Sequence, residues 1–586
     1  MENVREHVSE TAAQNIERWL NEPKYEAYKA ELEAMITAEK WQALEDAFFK
    51  EIEFGTGGRR GIVGLGSNRI NQVTIGESTQ ALCEYAKSVD PDAPNNGIVI
   101  ACDTRLSSEE LSRYVARVAA ANGFKVFIFE SFRSTPELSF AVRYLKCAVG
   151  VVITASHNAP EYNGFKAYWS DGAQLVPPHD KGVLTVADTI QTIKALNDYE
   201  KAVTDGQITE IGADVDEAYQ QAVLNERMDN LTNLKIAYSP LHGAGQRNAL
   251  PVLQRVGFEV LTVKEQMLPD GNFPTMEDGR ANPEKKPAND RVVALMLAEE
   301  ADIAVSNDPD ADRLGVMVRH NDDVVYLSGN QTAALTTEYV LQKLKERGEI
   351  TDKHYIAKTI VTTDLLEAIA TSYDVRTIGN LHVGFKWICE VINKQEAHGG
   401  VFVTGSEESF GLMKGSYTRD KDGAVSLLIA EYAAELKQQG KTLYDALLNL
   451  YVRHGLYVEC LTTATCEGSQ GFIEMQNIMK SLRESPIEKV EGHEVTAMLD
   501  YQTLQRTELT DGSTTQIDMI PSNVLVYEFG DRRRRVTIRP SGTEPIIKFY
   551  VQWHDDSDTS ELAYEKLQHF VDGMTRTLEG LALERV

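Results

Sequence analysis

The sequence predicts a multidomain α/β protein, on three observations. Short β-branched runs alternate with helix-like stretches, a polar motif follows one run after another, and 586 residues are enough for roughly three to five domains. The run Gly97-Ile98-Val99-Ile100 precedes CDTR and a helix-like LSRYVARVAAANG. Residues 149–153 precede TASHN, 234–238 precede SPLHGAG, 301–305 precede SNDPDADR, and 401–403 precede TGSEESFG. Such alternation layers helices on sheets. Ligand sites in open α/β sheets lie beyond the carboxyl ends of strands, so the motifs mark candidate sites on repeated α/β units. No repeat is visible as identical residues.

In chain order, residues 1–50 read as a helical extension packed on the body, with Trp19, Leu20, Leu32, Met35, Trp41, Leu44 and Phe48 at helical intervals. Boundaries near 205, 325 and 455 then divide the chain into 51–205, 206–325, 326–455 and 456–586. The last part differs in texture. VLVYEF, a basic turn, VTIRPSGTEPIIKFYVQW and a closing TSELAYEKLQHFVDGMTRTLEG read as strands followed by a helix, a smaller α+β domain.

A net charge of -29, from 59 basic and 88 acidic residues, argues against a nucleic-acid footprint, which needs a basic face. Six scattered cysteines without a C-x-x-C exclude a zinc ribbon and point to a reducing compartment. The amino terminus lacks an apolar signal core, and no run of about eighteen apolar residues indicates a membrane span. The expectation is a cytoplasmic protein without nucleic-acid or membrane partners.

The sharpest motif is DPDADR. Asp308, Asp310 and Asp312 alternate, so an extended or turning backbone aims three hard oxygen ligands at one point, which suits Mg²⁺. An EF-hand loop starting at Asp308 needs Gly sixth and Glu twelfth; Arg313 and Arg319 stand there. In TASHNAPEYNGFK, Ser156 lacks the glycines of a hydrolase elbow. A phosphoryl carrier is the other use for such a serine, since phosphoserine brings acceptor oxygens that complete a carboxylate metal site; a plain loop hydroxyl is the alternative. In RPSGTEP, Arg539 offers a planar fork for phosphate, Ser541 and Thr543 offer hydroxyls, and Gly542 lets backbone N–H groups approach an anion; a tight hairpin turn is the alternative. In GSEESFG, Glu407 and Ser409, two apart on an extended loop, point to one side and suit vicinal sugar hydroxyls. The loop Gly55-Thr56-Gly57-Gly58-Arg59-Arg60-Gly61 fails the dinucleotide fingerprint at Arg60, and Gly440-Lys441-Thr442 fails the P-loop at Glu435. RDKDG places Lys421 between two acids.

Together, and in this order from about Phe54 to Trp553, these residues resemble the α-D-phosphohexomutase family. The resemblance implies four domains around a central cleft: three similar α/β sandwiches with mixed sheets, and a smaller α+β fourth. It implies Ser156 as the phosphorylated residue and Asp308, Asp310 and Asp312, with Ser156, as the Mg²⁺ site. Arg60, His157 and Lys166 fall around the phosphoryl group and Arg313 beside the metal. Glu407 and Ser409 match the sugar-binding pair; Arg539, Ser541, Gly542 and Thr543 match the distal phosphate loop; Lys421 matches a general acid/base. It also implies Mg²⁺ as cofactor and glucose 1,6-bisphosphate as activator. Ala159 interrupts the usual S-H-N-P, with the spacing to Lys166 kept. FKAYWSDGAQLVPPHDKG resembles members acting on pentose phosphates or making glucose 1,6-bisphosphate, whereas E-E-S-F-G resembles glucose-using members. The expected reaction interconverts glucose 1-phosphate and glucose 6-phosphate. Mannose or pentose phosphate mutases, a bisphosphate synthase, a phosphatase and a non-catalytic sugar-phosphate-binding module are the rivals.

Overall fold

The computed structural model describes residues 2–53, 58–466, 468–542 and 546–585. Four helices, Glu2–Arg5, Glu10–Asn21, Glu26–Thr37 and Trp41–Phe48, open the chain. They pack Trp19, Leu32, Leu44 and Phe48 against Leu65 and Val73 of the body. Trp19 stacks on Tyr25 at 4.4 Å and meets Phe48 edge-on at 5.4 Å, the geometries that aromatic quadrupoles favour.

Three mixed sheets follow. The first runs Arg59–Ile62, Tyr162–Trp169, Val149–Ile153, Ile98–Cys102, Val126–Phe129, Ile208–Ile211. Its last strand lies just beyond the boundary expected near 205. Ile98–Cys102 and Val149–Ile153 are buried throughout because helices cover both faces, which is why these strands read as unbroken apolar runs. Val99 and Ala101 enter one core while Ile98, Ile100 and Cys102 enter the other, the two-residue period of a strand. The second sheet runs Asp323–Leu327, Leu314–His320, Ile303–Asn307, Lys235–Ser239, Glu259–Thr262, and the third Arg376–Ile378, His354–Lys358, Val401–Glu407, Gly411–Lys414.

A repeat absent from residue identities is present in this topology. In each sheet a parallel strand ends in a short loop and returns as an antiparallel neighbour: Val149–Ile153 to Tyr162–Trp169, Ile303–Asn307 to Leu314–His320, Val401–Glu407 to Gly411–Lys414. The three loops carry Ser156, the aspartates and the GSEESFG motif. A fourth, antiparallel sheet of seven strands begins at Leu456–Thr465 and includes Arg535–Pro540 and Ile546–Asp555. Helix Glu561–Leu583 packs on it. Among the described residues no helix is long and apolar enough to cross a membrane.

A buried ion cluster fastens the fourth sheet to the third. Asp364 pairs with Lys358 Nζ at 2.9 Å and with Arg535 Nη1 at 2.5 Å, and Gln552 Nε2 donates to the Thr362 carbonyl at 3.1 Å. Burial opposes its charge, but Lys358 and Arg535 hold the Asp364 carboxyl well below the usual carboxylate range. Such a group stabilises the fold fully above its unfolded pKa and loses that contribution as pH falls. Asp364→Ala leaves two buried cations unpaired, an expected cost of about 3–5 kcal/mol. The urea midpoint should fall clearly at pH 7, and the gap from the parent should narrow on acidification; an equal midpoint at pH 7 would contradict this anchor.

Candidate active site

Ser156 stands at the carboxyl end of the buried strand Val149–Ile153, in a left-handed backbone conformation with φ +51°. A non-glycine residue persists there only when its surroundings over-determine it, and here they do. Its N–H donates to Thr154 Oγ1 at 2.8 Å. Arg105 donates to the carbonyls of Ser156 at 2.7 Å, Ala159 at 2.7 Å, Tyr162 at 2.9 Å and also Asn158. Asp103 orients that guanidinium at 3.2 Å and accepts from Ser108 Oγ at 2.6 Å. Arg105 was missed by motif reading. Its signal was the CDTR segment following a strand, the position shared by the Ser156, aspartate and GSEESFG motifs.

The Ser156 hydroxyl donates to Asp308 Oδ2 at 2.6 Å, so the first and second sheets meet at this bond. Left-handed Ala311, φ +52°, turns the aspartate loop, and oxygens of Asp308, Asp310 and Asp312 lie within 4.8 Å of one another, all buried. Asp308 accepts the Arg313 N–H at 3.0 Å. Asp310 Oδ2 accepts from Lys166 Nζ at 2.7 Å and Thr135 Oγ1 at 2.8 Å. Asp312 Oδ2 faces Lys166 at 3.3 Å and Lys421 at 3.1 Å. Oδ1 of Asp310 and Oδ1 of Asp312 have no hydrogen-bond partner among the described residues. Buried carboxylate oxygens left without donors fit a hard cation. Burial and then the Asp312 and Asp310 charges push Asp308 well up, the strain such a cation would relieve.

Thr135 was also missed by sequence. It opens helix Thr135–Tyr144, capped by Ser134 with Pro136 in the first turn, a start signal that says nothing of a partner 175 residues away.

Arg60 donates to Asn158 Oδ1 at 3.3 Å, on the Ser156 loop. His157 Nδ1 lies 3.3 Å from Ser156 Oγ. Burial, then Arg313 and Arg60, hold its imidazole well below the usual histidine range, so it is neutral near pH 7. Arg313 pairs with Glu284 and has Asp308 and Asp312 at 3.8 and 3.9 Å. Burial opposes the Lys421 charge, but Asp312, Glu407 and Asp420 hold its ammonium above the ordinary lysine value.

The GSEESFG geometry corrects the expectation of an extended loop. Residues 408–410 form a turn between antiparallel strands, so alternation fails. Glu407 is buried, accepting from Gly384 N–H at 2.9 Å with Lys421 at 3.8 Å. Ser409 instead lines a cavity of about 440 Å³ together with His157, Arg313, Glu284, Glu408 and Lys548. Burial and the Glu407 charge push Glu408 up to about 7.

Arg539 pairs across strands with Lys548, which with Tyr550 of the same strand lines the cavity. Ser541 N–H donates to the Ile546 carbonyl at 2.8 Å, closing the turn, and Gly542 has open space where a Cβ would stand. Thr543 lies outside the described residues, as do Gly55, Thr56 and Gly57.

Models of the phosphoglucomutase/phosphomannomutase α/β/α domains I, II and III match residues 51–194, 217–321 and 328–453. A phosphoglucomutase of Staphylococcus haemolyticus is 33% identical over 522 residues, 88% of this chain and 92% of that one. The chain belongs to the phosphoglucomutase/phosphomannomutase family. One from Staphylococcus aureus is 34% identical, covering 86% and 90%. The fold matches a phosphoglucomutase/phosphomannomutase family protein of Burkholderia thailandensis, with TM-score 0.63, 20% identity and coverage of 90% and 97%. It also matches the phosphoglucomutase pp63/parafusin of Paramecium in its open form, with TM-score 0.62, 17% identity and coverage of 90% and 96%. Members of this family are isomerases that relocate a phosphoryl group, and the Ser156, aspartate and GSEESFG loops all fall inside the matched domains.

Thr135 orients Asp310 from outside the carboxylate cluster. Thr135→Val should weaken Mg²⁺ binding by about 10–100-fold, read by calorimetric titration; an unchanged Kd would count against the aspartates as the metal site.

Proposed function

We propose that the protein interconverts glucose 1-phosphate and glucose 6-phosphate through a phosphorylated Ser156 and a glucose 1,6-bisphosphate intermediate. The observation that carries this reading is the Ser156 hydroxyl 2.6 Å from a buried three-carboxylate cluster with a cavity alongside. The curated relatives named phosphoglucomutase support glucose as the sugar.

Ser156 carries the phosphoryl group on Oγ. A free hydroxyl of the bound sugar phosphate attacks phosphorus. A sugar O–P bond forms, the Ser156 O–P bond breaks, and the serine oxygen leaves and takes up a proton, the nearby cations offsetting its charge until it does. Lys421 faces the GSEESFG loop; in its amine form it takes the proton of the attacking hydroxyl, and the ammonium so formed returns it when the sugar oxygen is the leaving group in the reverse step. Lys166, Arg313 and Arg60 offset charge on the transferring oxygens, the term that dominates phosphoryl transfer. Mg²⁺ held by Asp308, Asp310 and Asp312 would add charge neutralisation at the same group. The bisphosphate then turns end for end and returns its other phosphoryl group to Ser156, which restores the enzyme. This accounts for two anion sites: one at Ser156 and one at Arg539, Ser541, Gly542 and Thr543. Glu407 and Ser409 are the partners for sugar hydroxyls, with Ser409 and Glu408 on the cavity lining. Glucose 1,6-bisphosphate, as activator, would load Ser156.

The deciding assay is turnover of glucose 1-phosphate with Mg²⁺ and a trace of glucose 1,6-bisphosphate, beside mannose 1-phosphate and ribose 1-phosphate. Fast conversion of the glucose ester alone supports the proposal; preference for another sugar overturns the substrate, and steady release of phosphate indicates a phosphatase. Ser156→Ala should abolish turnover, and near-parent activity would rule out the covalent carrier. Arg539→Ala removes a charged contact of about 1.5–3 kcal/mol, so KM should rise about tenfold or more with kcat little changed; a parent-like KM would misplace the distal phosphate site.

A further inference from the structure

The Lys421 loop is braced at both ends by carboxylates that are themselves held by tyrosine hydroxyls. We propose that Tyr168 is a positioning residue of the reaction, acting through Asp420 to hold the Lys421 ammonium between Asp312 and Glu407. The inference rests on Lys421 as the acid–base group proposed above.

Tyr168 and Lys166 stand two apart on strand Tyr162–Trp169 and so share a face. Lys166 reaches Asp310 and Asp312 of the second sheet's loop. Tyr168 reaches the third sheet's loop, donating its hydroxyl to Asp420 Oδ2 at 2.7 Å. Gln174, bridged to Tyr168 along the backbone, donates to the Tyr168 hydroxyl at 3.2 Å and to Asp420 Oδ2 at 3.1 Å. The other Asp420 oxygen accepts the Lys421 N–H at 2.9 Å. One strand of the first sheet therefore sets the metal loop and the lysine loop against each other.

The far side of Lys421 has its own fixings. Asp422 accepts from Tyr219 and Tyr417 hydroxyls, each at 2.6 Å. Gly423 N–H donates to the Ala311 carbonyl at 3.0 Å, so close that a Cβ on Gly423 would lie 2.2 Å from Asn307 Nδ2. With that side clamped to the aspartate loop, the direction of Lys421 depends on the Asp420 side. Both Tyr168 and Asp420 are at most 1% exposed. A buried carboxylate beside a working lysine is costly unless hydrogen-bonded, and Tyr168 is its shortest side-chain donor. Tyr168→Phe keeps the ring and its packing, removing only the hydroxyl that orients Asp420.

The test compares three single substitutions in the full chain. Tyr339 is a buried tyrosine whose hydroxyl meets Glu431 at 3.5 Å, away from the site, so Tyr339→Phe controls for loss of any buried hydroxyl. Tyr168→Phe is expected to lower kcat about 10–100-fold with KM within about twofold, at a melting midpoint like that of Tyr339→Phe. Parent-like kcat in Tyr168→Phe, or a fall in kcat shared by Tyr339→Phe, would overturn the positioning role. Lys421→Met separates the two claims. If it is inactive while Tyr168→Phe is parent-like, only the positioning role fails; if it keeps parent turnover, the acid–base assignment itself fails.

Discussion

Three carboxylates buried within reach of one another are the constraint around which this protein is arranged. Left alone they would repel at a cost no loop could bear, since unpaired buried charge is among the most destabilising features a fold can hold. Their partners come from different units. Lys166 comes from the first sheet, Arg313 follows the aspartates in sequence, and Lys421 comes from the third. Charge balance at the centre is therefore satisfied only when the first three units are docked, which ties assembly of the domains to assembly of the site.

The repeated sheet pattern makes that docking productive. Each of the first three sheets sends its reactive loop out from the carboxyl end of a parallel strand and brings the chain back antiparallel beside it. The loops are short and start from buried strands, so their side chains are placed by rigid elements. Ser156 and Ala311 both hold left-handed backbone at these turns, a local cost of order 1–3 kcal/mol each that the surrounding hydrogen bonds offset. The fourth sheet is joined differently, through Asp364, Lys358 and Arg535 at the third sheet and through Lys548 and Tyr550 at the cavity. An overall charge of -29 thus coexists with a cavity whose rim gathers Arg313, Lys285, Lys286 and Lys548 among Glu284, Glu408 and Glu459.

Much of this was legible in the chain. Alternating apolar runs and helix-like stretches determined the α/β class because strand and helix periods differ and the buried strands are apolar on both faces. DPDADR determined which three carboxylates could meet, because alternate positions in one short loop keep them close together. The apolar spacing of residues 1–50 determined their helices, and the order of motifs determined the family.

Tertiary structure decided what depends on partners distant in sequence. Thr135 on Asp310, Arg105 under the Ser156 loop, Glu284 on Arg313 and Tyr168 on Asp420 carry no local pattern, because a single polar side chain looks the same whether it faces water or a site. The GSEESFG sequence suggests an extended loop, but pairing of its flanking strands forces a turn at 408–410 that buries Glu407 and leaves Glu408 and Ser409 on the cavity. Local sequence sets which backbone a segment prefers and which chemistry it carries; the direction a side chain takes is set by long-range strand pairing and by burial against other domains, and those exist only in the folded chain.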